Sequence, residues 1–208
     1  LKAADIGCAM GITGTDVAKD ASDIILEDDN FVTITQAIKQ GRIIYDNIRK
    51  AVHFLLSCNI GEILTIFAAI LMGYGAPLDP VQLLWINLVT DSLPALSLGV
   101  EPGDENIMGR KPVSAKAGIF SGGMGLKTIL EGMMIGSISL AAYMAGAGKG
   151  HETGETMCFA VLALSQLIHA INSKSEYSVL GRRMFQNKMM NISFVVCAFL
   201  QVITIAFP

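Results

Sequence analysis

Asn59 and Glu62 sit halfway along the longest apolar run of this 208-residue chain, Ala51 to Gly73. Asn87, Thr90 and Asp91 sit halfway along the next run, Val81 to Val100. A carboxylate near the middle of a bilayer costs several kcal/mol unless something pairs with it, so such residues mark ion paths by default. Neither run contains a Lys or Arg that could serve as that partner. The simplest partner is a cation that comes and goes.

Spacings of three and four residues put side chains on one helical face. Asn59 and Glu62 are therefore expected on one face of the first helix, with Asn87 and Asp91 on one face of the second and Thr90 beside them. Pro94 has no N–H to offer the carbonyl four residues back, so the Thr90 carbonyl is expected to be free. Irregular backbone is tolerated at this depth where it lines a polar cavity. Every candidate ligand is oxygen, the shell that hard cations prefer, and calcium in particular takes about six to eight oxygens in flexible geometry. Two negative charges match one divalent ion.

Gln166, near the middle of a later apolar run, reads equally as a further ligand or as a helix-packing amide. Asn59 or Thr90 alone would more often be interhelical hydrogen-bond partners; two carboxylates at the same depth favour an ion site. His169, Asn172 and Glu131 lie toward run ends and are expected at the membrane interface. Gly132 and Gly136 form a G-x-x-x-G face suited to close helix packing, and Gly61 would let a neighbouring helix approach Glu62.

The elements that must position these residues follow from composition. With 52% hydrophobic and 16% charged residues, the chain belongs with multi-span membrane proteins. Crossing a hydrocarbon core of roughly 30 Å takes about 20 helical residues. Five spans are expected, at about 51–73, 81–100, 127–145, 156–172 and 192–207. Basic residues accumulate on the cytoplasmic side of short connections. Placing 1–50, 101–126 and 173–191 inside puts every Lys and Arg there except Lys149, with Lys127 at the inner edge of the third span. The four cysteines have no C-x-x-C spacing, so neither a disulfide framework nor a thiolate metal site is indicated. The net charge of −3 carries no signature of nucleic-acid binding.

Residues 1–30 read as the end of an α/β domain, with strands at Ile6 to Met10 and Ile24 to Leu26 and a short helix over Asp16 to Ala21 capped by Thr15. Gly11 and Gly14 supply a turn; a phosphate cradle is the less favoured reading, because the full P-loop pattern with its Lys is absent. Asn30 is a good N-cap, with Glu27, Asp28 and Asp29 suiting the positive end of a helix dipole. From Phe31 onward a stalk helix is expected over 31–50, with Gly41 as its weak point. A helix resuming after Gly41 and reaching Gly73 would run about 48 Å. Leu1 is no initiator Met and Pro208 precedes any polar flank, so a piece of a longer protein is expected.

The runs ADIGCAMGITGTDVAKDASDIILEDDNF, SCNIGE, LLWINLVTDSLPALSLG and DENIMGRKP resemble, in that order, the C-terminal part of P-type cation-transporting ATPases. The likeness is greatest to calcium pumps of the sarcoplasmic reticulum type and their bacterial relatives. It implies a mostly α fold: a transmembrane helical bundle over 51–208, preceded at 1–30 by the end of a HAD-like phosphorylation domain. The spans would be the fifth to ninth of ten. Asn59, Glu62, Asn87, Thr90 and Asp91 match the family's calcium ligands, while Gln166 stands where the sarcoplasmic reticulum pump has a glutamate, as in plasma-membrane calcium pumps. The loop from Glu101 to Phe120 looks like the one that touches the phosphorylation domain.

The resemblance further implies Ca2+ as the transported ion, with Mg2+ and ATP bound by upstream domains. The phosphorylated aspartate motif is absent here, so this polypeptide alone is expected to be inactive. The implied partners are the lipid bilayer and the upstream half of the same pump, and the implied place is the cell membrane with residues 1–50 cytoplasmic. The alternatives are a related pump for sodium, potassium, protons or manganese and, from another class, a secondary cation transporter or channel.

Overall fold

The computed structural model describes residues 1–114, 117–175 and 185–207. Lys116, Arg182 and Arg183, which entered the charge argument, lie outside the described residues, as does Pro208. The chain divides into two compact units, Leu1–Ile44 with Asp104–Lys111, and Tyr45–Gly103 with Pro112–Pro208.

In the first unit, strands β1 (Cys8–Met10) and β2 (Ile24–Leu26) pair in parallel with Cys8 opposite Ile24. Helix α1 (Asp16–Asp20) makes the crossover. Thr15 caps it through its side-chain oxygen, which accepts from the Ala18 amide at 3.3 Å. The expected first strand loses Ile6 and Gly7 to a bend, because the Gly7 amide donates to the Asp23 carboxylate at 2.7 Å.

The Gly11–Gly14 turn is a plain turn held by a carboxylate. Asp29, in the left-handed region with φ 51°, accepts from the Ile12 amide at 2.9 Å, the Thr13 amide at 2.8 Å and the Thr13 hydroxyl at 2.6 Å. At Gly14 a Cβ would lie 2.0 Å from the Met10 carbonyl oxygen, so no other residue fits. The bond from Thr13, followed by those from the turn amides, holds Asp29 below the usual carboxylate range. Asp28 is lowered likewise by the Thr33 hydroxyl and then by the Asn30 amide.

Helix α2 (Phe31–Leu71) begins where Asn30 caps it, its Oδ1 accepting from the Val32 amide at 3.0 Å. The helix does not break at Gly41. A helical glycine costs only about 1 kcal/mol, and the neighbouring Arg42 donates from Nη1 to the carbonyls of Ile107 and Arg110 at 3.0 and 2.9 Å. At 41 residues α2 is about 60 Å long.

The second unit is helical. After α2 come α3 (Pro80–Trp85), a π-helical stretch (Ile86–Asp91) and α4 (Ser92–Gly99), which together form one apolar rod, then α5 (Met124–Ala147), α6 (His151–Asn172) and α7 (Lys188–Ala206). Five helices, counting the α3–α4 rod once, are long and apolar enough to cross a membrane among the described residues. The helices begin at Met124, His151 and Lys188, ahead of the expected edges at 127, 156 and 192; the polar residues His151, Glu152, Thr153 and Glu155 continue α6 past its apolar stretch.

Because Asp29 is held low by its bonds to the turn, its stabilising contribution is full above the ordinary carboxylate range and is lost as pH falls through its lowered pKa. Amide hydrogen exchange at Ile12 and Thr13 should accelerate below about pH 4, and Asp29→Asn should show faster exchange already at neutral pH. Exchange in the variant equal to wild type would show that the carboxylate does not hold the turn.

Candidate functional site

Glu62 is placed by close contact between α2 and α5. A Cβ on Gly61 would meet Ile135 Cγ2 at 2.9 Å, one on Gly132 would meet the Ser57 carbonyl oxygen at 2.8 Å, and one on Gly136 would meet the Gly61 carbonyl oxygen at 2.9 Å. Small residues at these positions let the two backbones touch, as the G-x-x-x-G spacing predicted. Thr65 Oγ1 donates to the Gly61 carbonyl at 2.7 Å. Contact with α5 on this side leaves Glu62 to face the other helices.

The backbone of the α3–α4 rod is irregular where Pro94 predicted it. Without a donor at Pro94, the α-helical ladder cannot serve the Thr90 carbonyl. The rod takes a π-helical course over Ile86–Asp91, a form that appears mostly as single turns and often at functional sites. Ser92 Oγ donates to the Asn87 carbonyl at 3.0 Å within it. Helix α7 supports the rod: Trp85 Nε1 donates to Gln201 Oε1 at 3.0 Å, Ser97 and Ser193 hydroxyls lie 2.7 Å apart, and Cys197 Sγ donates to the Val89 carbonyl at 3.4 Å.

Three helices meet at Glu62. Its Oε2 accepts from Asn87 Nδ2 at 3.1 Å and its Oε1 from Gln166 Nε2 at 3.0 Å. Gln166 is fully buried, and its Oε1 has no hydrogen-bond partner among the described residues. Thr90 and Asp91 are each only 1% exposed. Neither oxygen of Asp91, nor the Thr90 hydroxyl, has a partner among the described residues. Glu62 lies close enough to Asp91 for the two charges to interact.

The remaining candidates are looser. Asn87 is exposed, and its amide nitrogen also donates to the Leu83 carbonyl at 2.9 Å. Asn59 is half-buried, with its nitrogen donating to the Leu55 carbonyl of its own helix at 2.8 Å. Glu62, Asn87 and Gln166 are thus joined by hydrogen bonds, Thr90 and Asp91 add buried bare oxygens, and Asn59 is not hydrogen-bonded to the others.

His169 and Glu131, expected at the membrane interface, meet in a second polar cluster. His169 is only 5% exposed and packs edge-on against His53, ring centres 5.7 Å apart. Glu131 Oε2 contacts His53 Nε2 at 2.6 Å. His53 has no partner at helical spacing in its own helix that would single it out. Its signal was available, since an ionisable residue in a membrane helix is a functional candidate by default.

Comparison with known proteins agrees with this architecture. Residues 75–208 match the family described as cation transporting ATPase, C-terminus, and the chain belongs to that family. Over its whole length it is 46% identical to calcium-transporting ATPase 1 of Bacillus cereus and 44% identical to the calcium-transporting ATPase of Bacillus subtilis. It is 38% identical, again over its whole length, to calcium-transporting ATPase type 2C member 1 of Pongo abelii. It covers 26%, 24% and 23% of those proteins, so it spans about a quarter of their length. The chain is an integral membrane protein with the helical content of that C-terminal region.

Replacing Gly132 by Leu should push α5 away from Ser57 and Ile60 and destabilise the bundle by about 2 kcal/mol. Unfolding in detergent with a graded denaturant would read this. An unchanged midpoint would show that close approach of α2 and α5 is not required.

Proposed function

We propose that this chain is the C-terminal membrane part of an ATP-driven calcium pump, and that Glu62 and Asp91 bind the transported ion together with Asn59, Asn87, Thr90 and Gln166. The observation that carries the reading is Asp91: it is 1% exposed and both its oxygens lack a hydrogen-bond partner among the described residues. A buried ionised carboxylate is strongly unfavourable unless paired, and no Lys or Arg occurs in 51–73, 81–100 or 156–172. A cation supplies the missing charge.

The donor set favours calcium. It consists of carboxylate, amide, hydroxyl and backbone oxygens, the shell of a hard cation with a high and flexible coordination number. The named relatives being calcium-transporting ATPases supports the same choice. The Asn87 and Gln166 amide nitrogens donate hydrogen bonds to Glu62. Turning each amide over would replace a donor by an oxygen, so the same side chains serve the filled site. Two carboxylates balance one divalent ion.

In this reading ATP and Mg2+ act in upstream domains, where an aspartate is phosphorylated, and residues 1–30 close that HAD-like domain. The continuous helix α2 would carry its state from the stalk at 31–50 to Glu62. Residues 1–50 face the cytoplasm, the pump sits in the cell membrane, and the upstream half of the same protein is the partner of this one. The exposed side of Asn87 leaves room for ligands from that half.

Asp91→Asn in the full-length protein should abolish calcium-dependent phosphoenzyme formation while membrane insertion persists; retained calcium dependence would remove Asp91 from the site. Gln166→Ala keeps both charges and should weaken calcium affinity by about tenfold, or roughly 1.4 kcal/mol. An unchanged affinity would assign Gln166 to packing. Stimulation of turnover by sodium, potassium, protons or manganese in place of calcium would redirect the choice of ion.

A further inference from the structure

The cluster around Glu131 has donors of a different kind from the all-oxygen group at Glu62. His53 from α2, Glu131 from α5 and His169 from α6 each offer one ligand atom, and these atoms lie within 4.8 Å of one another. His53 and His169 are 5% exposed each. Glu131 is 27% exposed at its side chain, which leaves an approach to the cluster.

The hydrogen bonds around the cluster prepare it for a metal. Thr128 Oγ1 donates its one proton to the Met124 carbonyl at 2.8 Å and therefore accepts from His53 Nδ1 at 2.7 Å. That bond puts a proton on Nδ1 and turns Nε2 toward Glu131. Such a partner on the far ring nitrogen is what orients metal-binding histidines. His53 Nε2 and Glu131 Oε2 are buried and lie 2.6 Å apart, with no further hydrogen-bond partner for either atom among the described residues.

The distances suit a small divalent ion. Zinc binds His nitrogen at about 2.0–2.1 Å in tetrahedral geometry, which sets neighbouring ligand atoms about 3.3 Å apart. The distances from Glu131 Oε2, 2.6 Å to His53 Nε2 and 3.8 Å to His169 Nε2, bracket that value. Ser57 Oγ lies 2.5 Å from His169 Nε2 and is bonded to its own helix through the His53 and Phe54 carbonyls. Release of that contact by a change of tautomer would free His169 Nε2 to bind metal. Lys127 Nζ approaches the other oxygen, Oε1, at 3.9 Å and leaves Oε2 to face the rings.

We propose that His53, Glu131 and His169 form a binding site for a borderline divalent transition-metal ion of the zinc or cobalt class, distinct from the oxygen cluster at Glu62 and Asp91. Imidazole ligands select such ions over calcium. An ion held here ties α2, α5 and α6 together, including the helices that carry Glu62 and Gln166.

The test uses full-length protein without a histidine tag, in lipid nanodiscs, stripped with chelator and titrated with Co2+. Wild type should bind one equivalent more than His169→Asn or Glu131→Gln, with visible ligand-field bands of mixed nitrogen and oxygen coordination. Zinc should displace that equivalent and calcium should not. Each variant should weaken this binding at least tenfold, and Glu62→Gln should leave it in place. If one variant fails to insert or fold, the other decides. Equal cobalt binding in wild type and both variants, displacement by calcium, or loss of the equivalent in Glu62→Gln would each overturn the assignment.

Discussion

Burial of carboxyl groups without a basic partner among the described residues is the constraint around which this bundle is organised. Asp91 lies in the interior with no hydrogen-bond partner for its oxygens among the described residues, and Glu62 is met by the neutral amide nitrogens of Asn87 and Gln166. In hydrocarbon every backbone polar group must be satisfied locally, so a helix cannot open at random to serve these groups. The α3–α4 rod deviates at Ile86–Asp91, the stretch that carries Asn87, Thr90 and Asp91, and the deviation has an identifiable cause in Pro94. Backbone irregularity and buried charge coincide.

The rest of the unit keeps that stretch in place. Glycines at Gly61, Gly132 and Gly136 bring α2 and α5 into backbone contact, which fixes the rotation of α2 and hence the direction of Glu62. Helix α7 grips the rod by hydroxyl, thiol and indole contacts. At the end of the rod, Asn187 Nδ2 donates to the Ser97 carbonyl at 2.8 Å and to Glu101 Oε2 at 2.6 Å, while Asn47 Nδ2 donates to the Glu101 carbonyl at 2.8 Å. These polar ties supply direction where apolar contact alone gives none, since lipid is as apolar as leucine.

Two chemically different polar clusters occupy the bundle. In the proposed readings the one at Glu62 would offer oxygen to calcium, and the one at Glu131 would offer two imidazoles and a carboxylate to zinc or cobalt. They share α2 and α6, because Gln166 and His169 are three residues apart and His53 and Glu62 nine apart. Ligand softness separates their expected ions without any need for distance between the sites.

Much of this was legible in the sequence because membrane helices obey few rules. Apolar length located the five membrane-capable helices, and Pro94 announced an irregular backbone in the turns before it. The capping roles of Thr15 and Asn30 and the glycine face of α5 were local properties, and local properties survive without knowledge of neighbours. What the tertiary structure alone decided was which groups meet. Glu62 finds Gln166, 104 residues away, and His53 finds Glu131 and His169, because the rotation and depth of each helix are set by packing against the others. Spacing along one helix cannot carry that information. For the same reason the places of Glu131 and His169 along their helices, which suggested the interface, could not show that the two meet each other and His53.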